Sequence, residues 1–145
     1  MKNNIMKRTA LIAAILLLTG FTAAQTSSNI DIEVKNTEPT PLQTSEYADV
    51  WLEVTNTGEN TAEDVELRFQ ENYPFSVVRG DRSNWSIGEL VPGEEYQIHL
   101  EARVDGNAVQ GSNTLNFEVR QRDISFTEEV PVEVRSDRNV LAVED

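Results

Sequence analysis

Val50-Trp51-Leu52-Glu53-Val54 runs into Asn56-Thr57-Gly58; Asp64-Val65-Glu66-Leu67-Arg68-Phe69 follows, then Trp85-Ser86-Ile87-Gly88-Glu89-Leu90 and Pro92-Gly93-Glu94. Apolar and polar residues alternate within each run, the two-residue period of a strand with one buried face. Residues that favour turns separate the runs. Strand, glycine turn, strand, Pro-Gly turn is the pattern of a small antiparallel β-sandwich.

The alternation extends in both directions. Ile30, Ile32 and Val34 alternate with Asp31, Glu33 and Lys35 as a first strand. Thr37–Ser45, with Pro39 and Pro41, is a stiff connector that cannot join a central ladder. Asn56–Asn60 joins the faces Val50/Leu52/Val54 and Val65/Leu67/Phe69 through residues that tolerate positive φ. Glu71–Ser83 is the longest irregular stretch, broken by Phe75, Val77 and Val78. Trp85 and Ile87 share the inward parity, which turns Asn84 and Ser86 outward. Val91–Glu94 is a β-turn with proline second and glycine third. Tyr96, Ile98, Leu100, Ala102 and Val104 form the longest strict alternation; Leu115, Phe117 and Val119 follow, then a turn at Asp123. Ile124, Phe126, Val130, Val132 and Val134 close the series. Glu128 falls on the buried parity of that last strand and Pro131 lies within it, so an edge strand with a bulge or break is expected there. The expected fold is all-β: an Ig-like antiparallel Greek-key β-sandwich of about seven strands over residues 30–135, preceded by a signal-peptide helix.

The first residues read as an address. Lys2, Lys7 and Arg8 precede the apolar run Ala10–Leu18, and Thr22-Ala23-Ala24 offers small residues for cleavage before Gln25. The run falls short of the ~20 apolar residues of a spanning helix, so cleavage is expected, and membrane attachment only through an uncleaved N-terminal segment. Residues 1–24 are thus read as a Sec-type signal peptide, 25–29 as a disordered linker and 136–145 as a C-terminal tail. The expected location is extracellular or at the cell envelope.

The chain contains no cysteine, so its stability must come from its core without disulfides. Losing Lys2, Lys7 and Arg8 with the leader takes the formal net charge from −13 to −16. A field of that sign argues against nucleic acid, whose phosphates need Lys and Arg in excess.

The punctuation resembles a known group of domains. Asn56-Thr57-Gly58, Ala62–Leu67 and Tyr73-Pro74-Phe75 are similar to the first half of Ig-like domains in archaeal S-layer-associated surface proteins, themselves related in pattern to the cell-adhesion-related CARDB domains. Ile87–Glu94 and Val104–Gly111 fit the second half, so the likeness covers roughly Ile30–Val134. It implies a spacer or binding unit without a shared active site, with an envelope or surface protein, or a surface glycan, as partner. Many such proteins carry tandem copies and a C-terminal membrane helix; neither pattern is found in these 145 residues, and Arg138–Asp145 reads as the start of a further strand.

Little in the sequence points to catalysis. His99 is the lone histidine, and its parity opposes Ile98 and Leu100, which puts it on the solvent face with Glu101 and Arg103. No Gly-x-Ser-x-Gly occurs, and zinc is not expected with one His and no Cys. Adjacent carboxylates such as Glu94-Glu95 follow from the 25 acidic residues, and none has EF-hand spacing. Arg79-Gly80-Asp81 reads as a solvated turn. The expectation is a non-enzymatic module with no cofactor, no catalytic residue and no metal ligand. Two surface features stand out. Asn84-Trp85-Ser86 is a glycosylation sequon on an outward asparagine. Trp51 opposes Val50 and Leu52, so its indole falls on an outer face, either under the connector Pro39–Leu42 or, with Tyr47, as a contact for a sugar or protein partner.

Overall fold

The computed structural model describes residues 29–136. The signal segment 1–24, most of the 25–29 linker and the tail beyond Ser136 lie outside those residues. Seven long strands match the expected number: β1 (Ile30–Glu38), β3 (Tyr47–Asn56), β4 (Ala62–Gln70), β6 (Asn84–Leu90), β7 (Glu95–Val104), β8 (Gly111–Gln121) and β9 (Ile124–Arg135). Two short ones, β2 (Leu42–Gln43) and β5 (Phe75–Val77), fall within the connector and the long irregular stretch.

The strands form two sheets, β1-β3-β7-β5 and β2-β9-β8-β4-β6. β1-β3-β7 and β4-β8-β9 occupy the A-B-E and C-F-G places of an Ig sandwich, so the fold is Ig-like. After β1 the proline connector crosses to the second sheet, where β2 pairs parallel with the end of β9. Prolines cannot donate to a ladder, which confines this segment to the margin.

The core lies between the sheets and holds the alternating residues of every long strand. Val50, Leu52 and Val54 of one sheet and Leu67, Phe117 and Val119 of the other are all fully buried, and Phe117 packs in tilted geometry against Phe69 and Trp85. Each large buried aliphatic or aromatic side chain contributes ~1.5–3 kcal/mol of transfer free energy. That is how a cysteine-free domain holds together.

Local geometry departs from the sequence pattern at four places. First, bulges sit in β1 at Lys35, in β4 and in β6, and none in β9. An extra residue near Asp64 (φ 53°) and another at Ile87 shift the β4–β6 register and then restore it. Gly88 takes φ 89°, a conformation that L side chains rarely adopt. The shift leaves Ile87 half-buried and brings Leu90 into the core. Second, β9 pairs with β8 without a break from Gln121↔Ile124 to Gly111↔Val134, so the expected bulge or break at Glu128 or Pro131 is absent. Third, Tyr96 and Ile124, expected inside, are exposed. Ile124 overshoots the partner sheet, because β1 begins at Ile30 and Asp31 already lies near Glu128. Fourth, positive φ does not occur in the Asn56–Asn60 turn.

Asn56 instead becomes a buried clamp. Its side-chain amide donates to the carbonyls of Leu90 and Asn60, both at 2.8 Å, and its Oδ1 accepts from the Gly58 N–H. Its backbone pairs with Gly93 and Glu94, which ties the β3–β4 turn to the Pro92-Gly93 turn. Gly93 has φ 78°, as the third residue of such a turn requires.

Candidate functional site

Two surfaces are candidates: the flank where β1 and β9 run side by side, and the outer face of the four-stranded sheet.

On the flank, β1 and β9 are contact neighbours without being paired in a ladder. In an antiparallel pair, successive residues direct their backbone groups alternately toward and away from the partner. The Asn29 carbonyl accepts from the Thr57 N–H, toward β3. Asp31 and Glu33 therefore bond toward β3, while Ile30, Ile32 and Val34 direct N–H and C=O to the free edge. The register is unbroken from Ile30↔Asn56 to Val34↔Leu52, then shifts at Lys35. Lys35 lies at this bulge and pairs with Glu53 at 2.5 Å and Glu33 at 3.5 Å. Its hydrogen bond to Glu53 raises its pKa. Beside Val34 a cleft of about 530 Å³ opens between the sheets, lined by Thr37, Pro41, Pro131, Val132 and Val134.

The β9 edge is built differently. The Arg135 carbonyl accepts from the Thr44 N–H, on the β2 side, so the odd-numbered residues of β9 direct their backbone groups away from β8. Pro131 has this parity and removes one edge donor without costing the ladder a bond. Glu128, opposite Phe117, points inward on the strand nearest solvent. Burial raises its pKa, and the nearby charges of Asp31 and Glu129 raise it further. An inward-pointing charge and an edge proline are two devices by which natural sheets discourage another strand from adding.

On the outer face of the four-stranded sheet, Trp51 faces outward as its parity requires and is half-buried. Its cover is its cross-strand neighbour His99, with ring centroids 5.1 Å apart at 29°. The His99 Nε2 lies 2.6 Å from Asp49, on the solvent side as expected. Tyr47 is 60% exposed on the same face, opposite Arg103. Four residues at ~3.3 Å each place Tyr47 and Trp51 about 13 Å apart along β3.

Asn84 is exposed at the start of β6. Arg79-Gly80-Asp81 is an exposed turn in which the Asp81 N–H bonds the Val78 carbonyl. Among the described residues no cluster of three His, Cys, Asp or Glu side chains could hold a metal ion. Sequence reasoning missed Asn56, because Asn-Thr-Gly marks a turn but not what is packed over it. It also missed the difference between the two edges, although the parity of Glu128 and the place of Pro131 carried half of that signal.

No protein-family model matches the chain. An uncharacterized protein of Methanocaldococcus jannaschii is 22% identical over 113 residues, covering 76% of this chain and 26% of that protein. The chain thus spans about a quarter of that relative. Among solved structures, the chain is similar to the CARDB domain of a Pyrococcus furiosus protein. The solution structure of that domain is 16% identical with a TM-score of 0.49, covering 77% of this chain and 97% of the domain. Its crystal structure in complex with di-metal ions is 16% identical with a TM-score of 0.48, covering 77% and 90%. The sporulation control protein of Bacillus subtilis is 14% identical, with a TM-score of 0.43 over 75% of this chain and 49% of that one.

Proposed function

We propose that the chain is an exported, non-enzymatic Ig-like module of the cell envelope, serving surface architecture or protein–protein contact. Its partner is an extended segment of another envelope or surface protein, added as a strand along β1. The observation that carries this is the Ile30–Val34 edge, which no described strand pairs, next to the cleft at Val34. Strand addition takes its affinity from main-chain hydrogen bonds and its specificity from pockets for alternate side chains. The leader-like N-terminus and the acidic composition support export.

The test is retention of envelope proteins on the immobilised mature domain. Val34→Pro removes an edge-facing donor and leaves the β3 ladder intact, so the retained partner is lost while the circular dichroism spectrum is unchanged. Trp51→Ala leaves retention as it was. Retention that survives Val34→Pro would sink strand addition at β1.

A second reading, glycan binding, rests on the outward aromatics Tyr47 and Trp51 with Arg103, His99 and Asp49 around them. Sugars stack on such rings when one face is free. Retardation of the domain in polysaccharide gels, abolished by Tyr47→Ala and Trp51→Ala, would support it over strand addition.

A further inference from the structure

We propose that Asn84 is a modification site carrying an N-linked oligosaccharide. Asn84-Trp85-Ser86 is the one Asn-x-Ser/Thr sequon in the sequence. The carboxamides of Asn29, Asn56, Asn72 and Asn113 each donate a hydrogen bond to another part of the fold. Among the described residues the Asn84 carboxamide has no partner, and its side chain is exposed. Asn36 and Asn107 are also exposed with unpartnered carboxamides but lie outside any sequon, so Asn84 is set apart by the sequon and the free side chain together.

Position on the strand explains why both recognised groups are available together. Asn84 and Ser86 are two residues apart on β6, so they project to the same outer face. Trp85 between them is buried in the core, packed against Phe117, and fixes which way they point. β6 is the outermost strand of its sheet, and the preceding residues Arg79–Arg82 are exposed, so nothing described stands between the sequon and solvent.

The face beneath is shaped to receive a sugar. A concavity of about 510 Å³ is lined by Asn84, Ser86 and the pairs Arg68–Glu118 and Glu66–Arg120. Arg68 is the register partner of Asn84. The first sugar lies over Arg68 and Glu118, where guanidinium donors and carboxylate acceptors meet its hydroxyls. These pairs are exposed, and such pairs contribute little to stability, so they can exchange partners with hydroxyls at small cost.

The donor is an oligosaccharide linked through phosphate to a membrane lipid. The Asn84 amide nitrogen bonds to the anomeric carbon, the bond from that carbon to the phosphate oxygen breaks, and the phosphate leaves with the electron pair. The nitrogen gives up one proton. No oxidant or reductant is needed.

The proposal rests on export, and its test separates the two. The full chain is produced in a host that attaches oligosaccharides to Asn-x-Ser/Thr in exported proteins, and the intact mass and Asn84 peptide are measured from the medium and envelope. The expected result is a processed chain heavier than its sequence, the increment lost in Asn84→Gln and Ser86→Ala and kept in Ser86→Thr. The three variants melt at the same temperature as the unmodified domain, so loss of the increment is not loss of fold. An exported, processed chain with a bare Asn84 overturns the glycosylation proposal and leaves export standing. A chain retained inside the cell with residues 1–24 attached overturns both.

Discussion

β1 and β9 flank the same seam of the sandwich, and both alternate apolar with polar residues, yet their edges are protected to different degrees. β1 leaves the backbone groups of Ile30, Ile32 and Val34 without a ladder partner among the described residues, Val34 being the least buried of the three, with no proline and no inward charge before the bulge at Lys35. β9 carries Pro131 on its edge parity and Glu128 on its inward parity. A sheet edge invites pairing by default, so of the two edges at this seam β1 is the one left for a partner to add. The composition is shared, and a few residues on the right parity make the difference.

Exchanging the character of the two inner positions gives the largest expected effect. Ile32 is 5% exposed within the core, so Ile32→Glu destabilises the domain by about 3 kcal/mol or more, read from the urea midpoint. A small shift would mean that β1 detaches from the core easily. The converse change, Glu128→Val, stabilises by at most about 1 kcal/mol because it replaces a partly desolvated carboxyl with apolar surface. The same variant has lost one of the two guards of the β9 edge, and sedimentation velocity is expected to show more self-association than wild type. If association is unchanged, Pro131 protects that edge by itself.

The smallest effect is in pH dependence. Burial, with Asp31 and Glu129, raises the Glu128 pKa in the folded chain above its unfolded value. The folded state therefore binds the proton more tightly, and this contribution to stability falls as pH rises through the window between the two values. Melting temperatures from about pH 4 to pH 6 should show Glu128→Gln gaining on wild type with rising pH. Parallel curves would place the Glu128 carboxyl in free solvent.

Much of this was legible in the residues. The parity rule put Trp85 in the core and Trp51 on an outer face, and both stand there, because a strand's side chains alternate wherever the ladder is regular. It failed at Ile87, where one extra residue flips every later side chain of β6, at Tyr96, where β7 has no β5 neighbour beside it, and at Ile124, where β9 runs past the sheet that would cover it. Pro39 and Pro41 marked a segment at the margin, but nothing local indicated that Leu42 would pair with β9.

The sequence by itself determined the all-β class, the order of strands and turns, and the faces that build the core, since these follow from a period of two and from turn chemistry over neighbouring residues. Only the tertiary structure decided which edges remain free, what covers Trp51, why Asn56 is buried and that Asn84 stands unpartnered. Those properties depend on residues far apart in the chain coming together, and local pattern carries no information about distance across the fold.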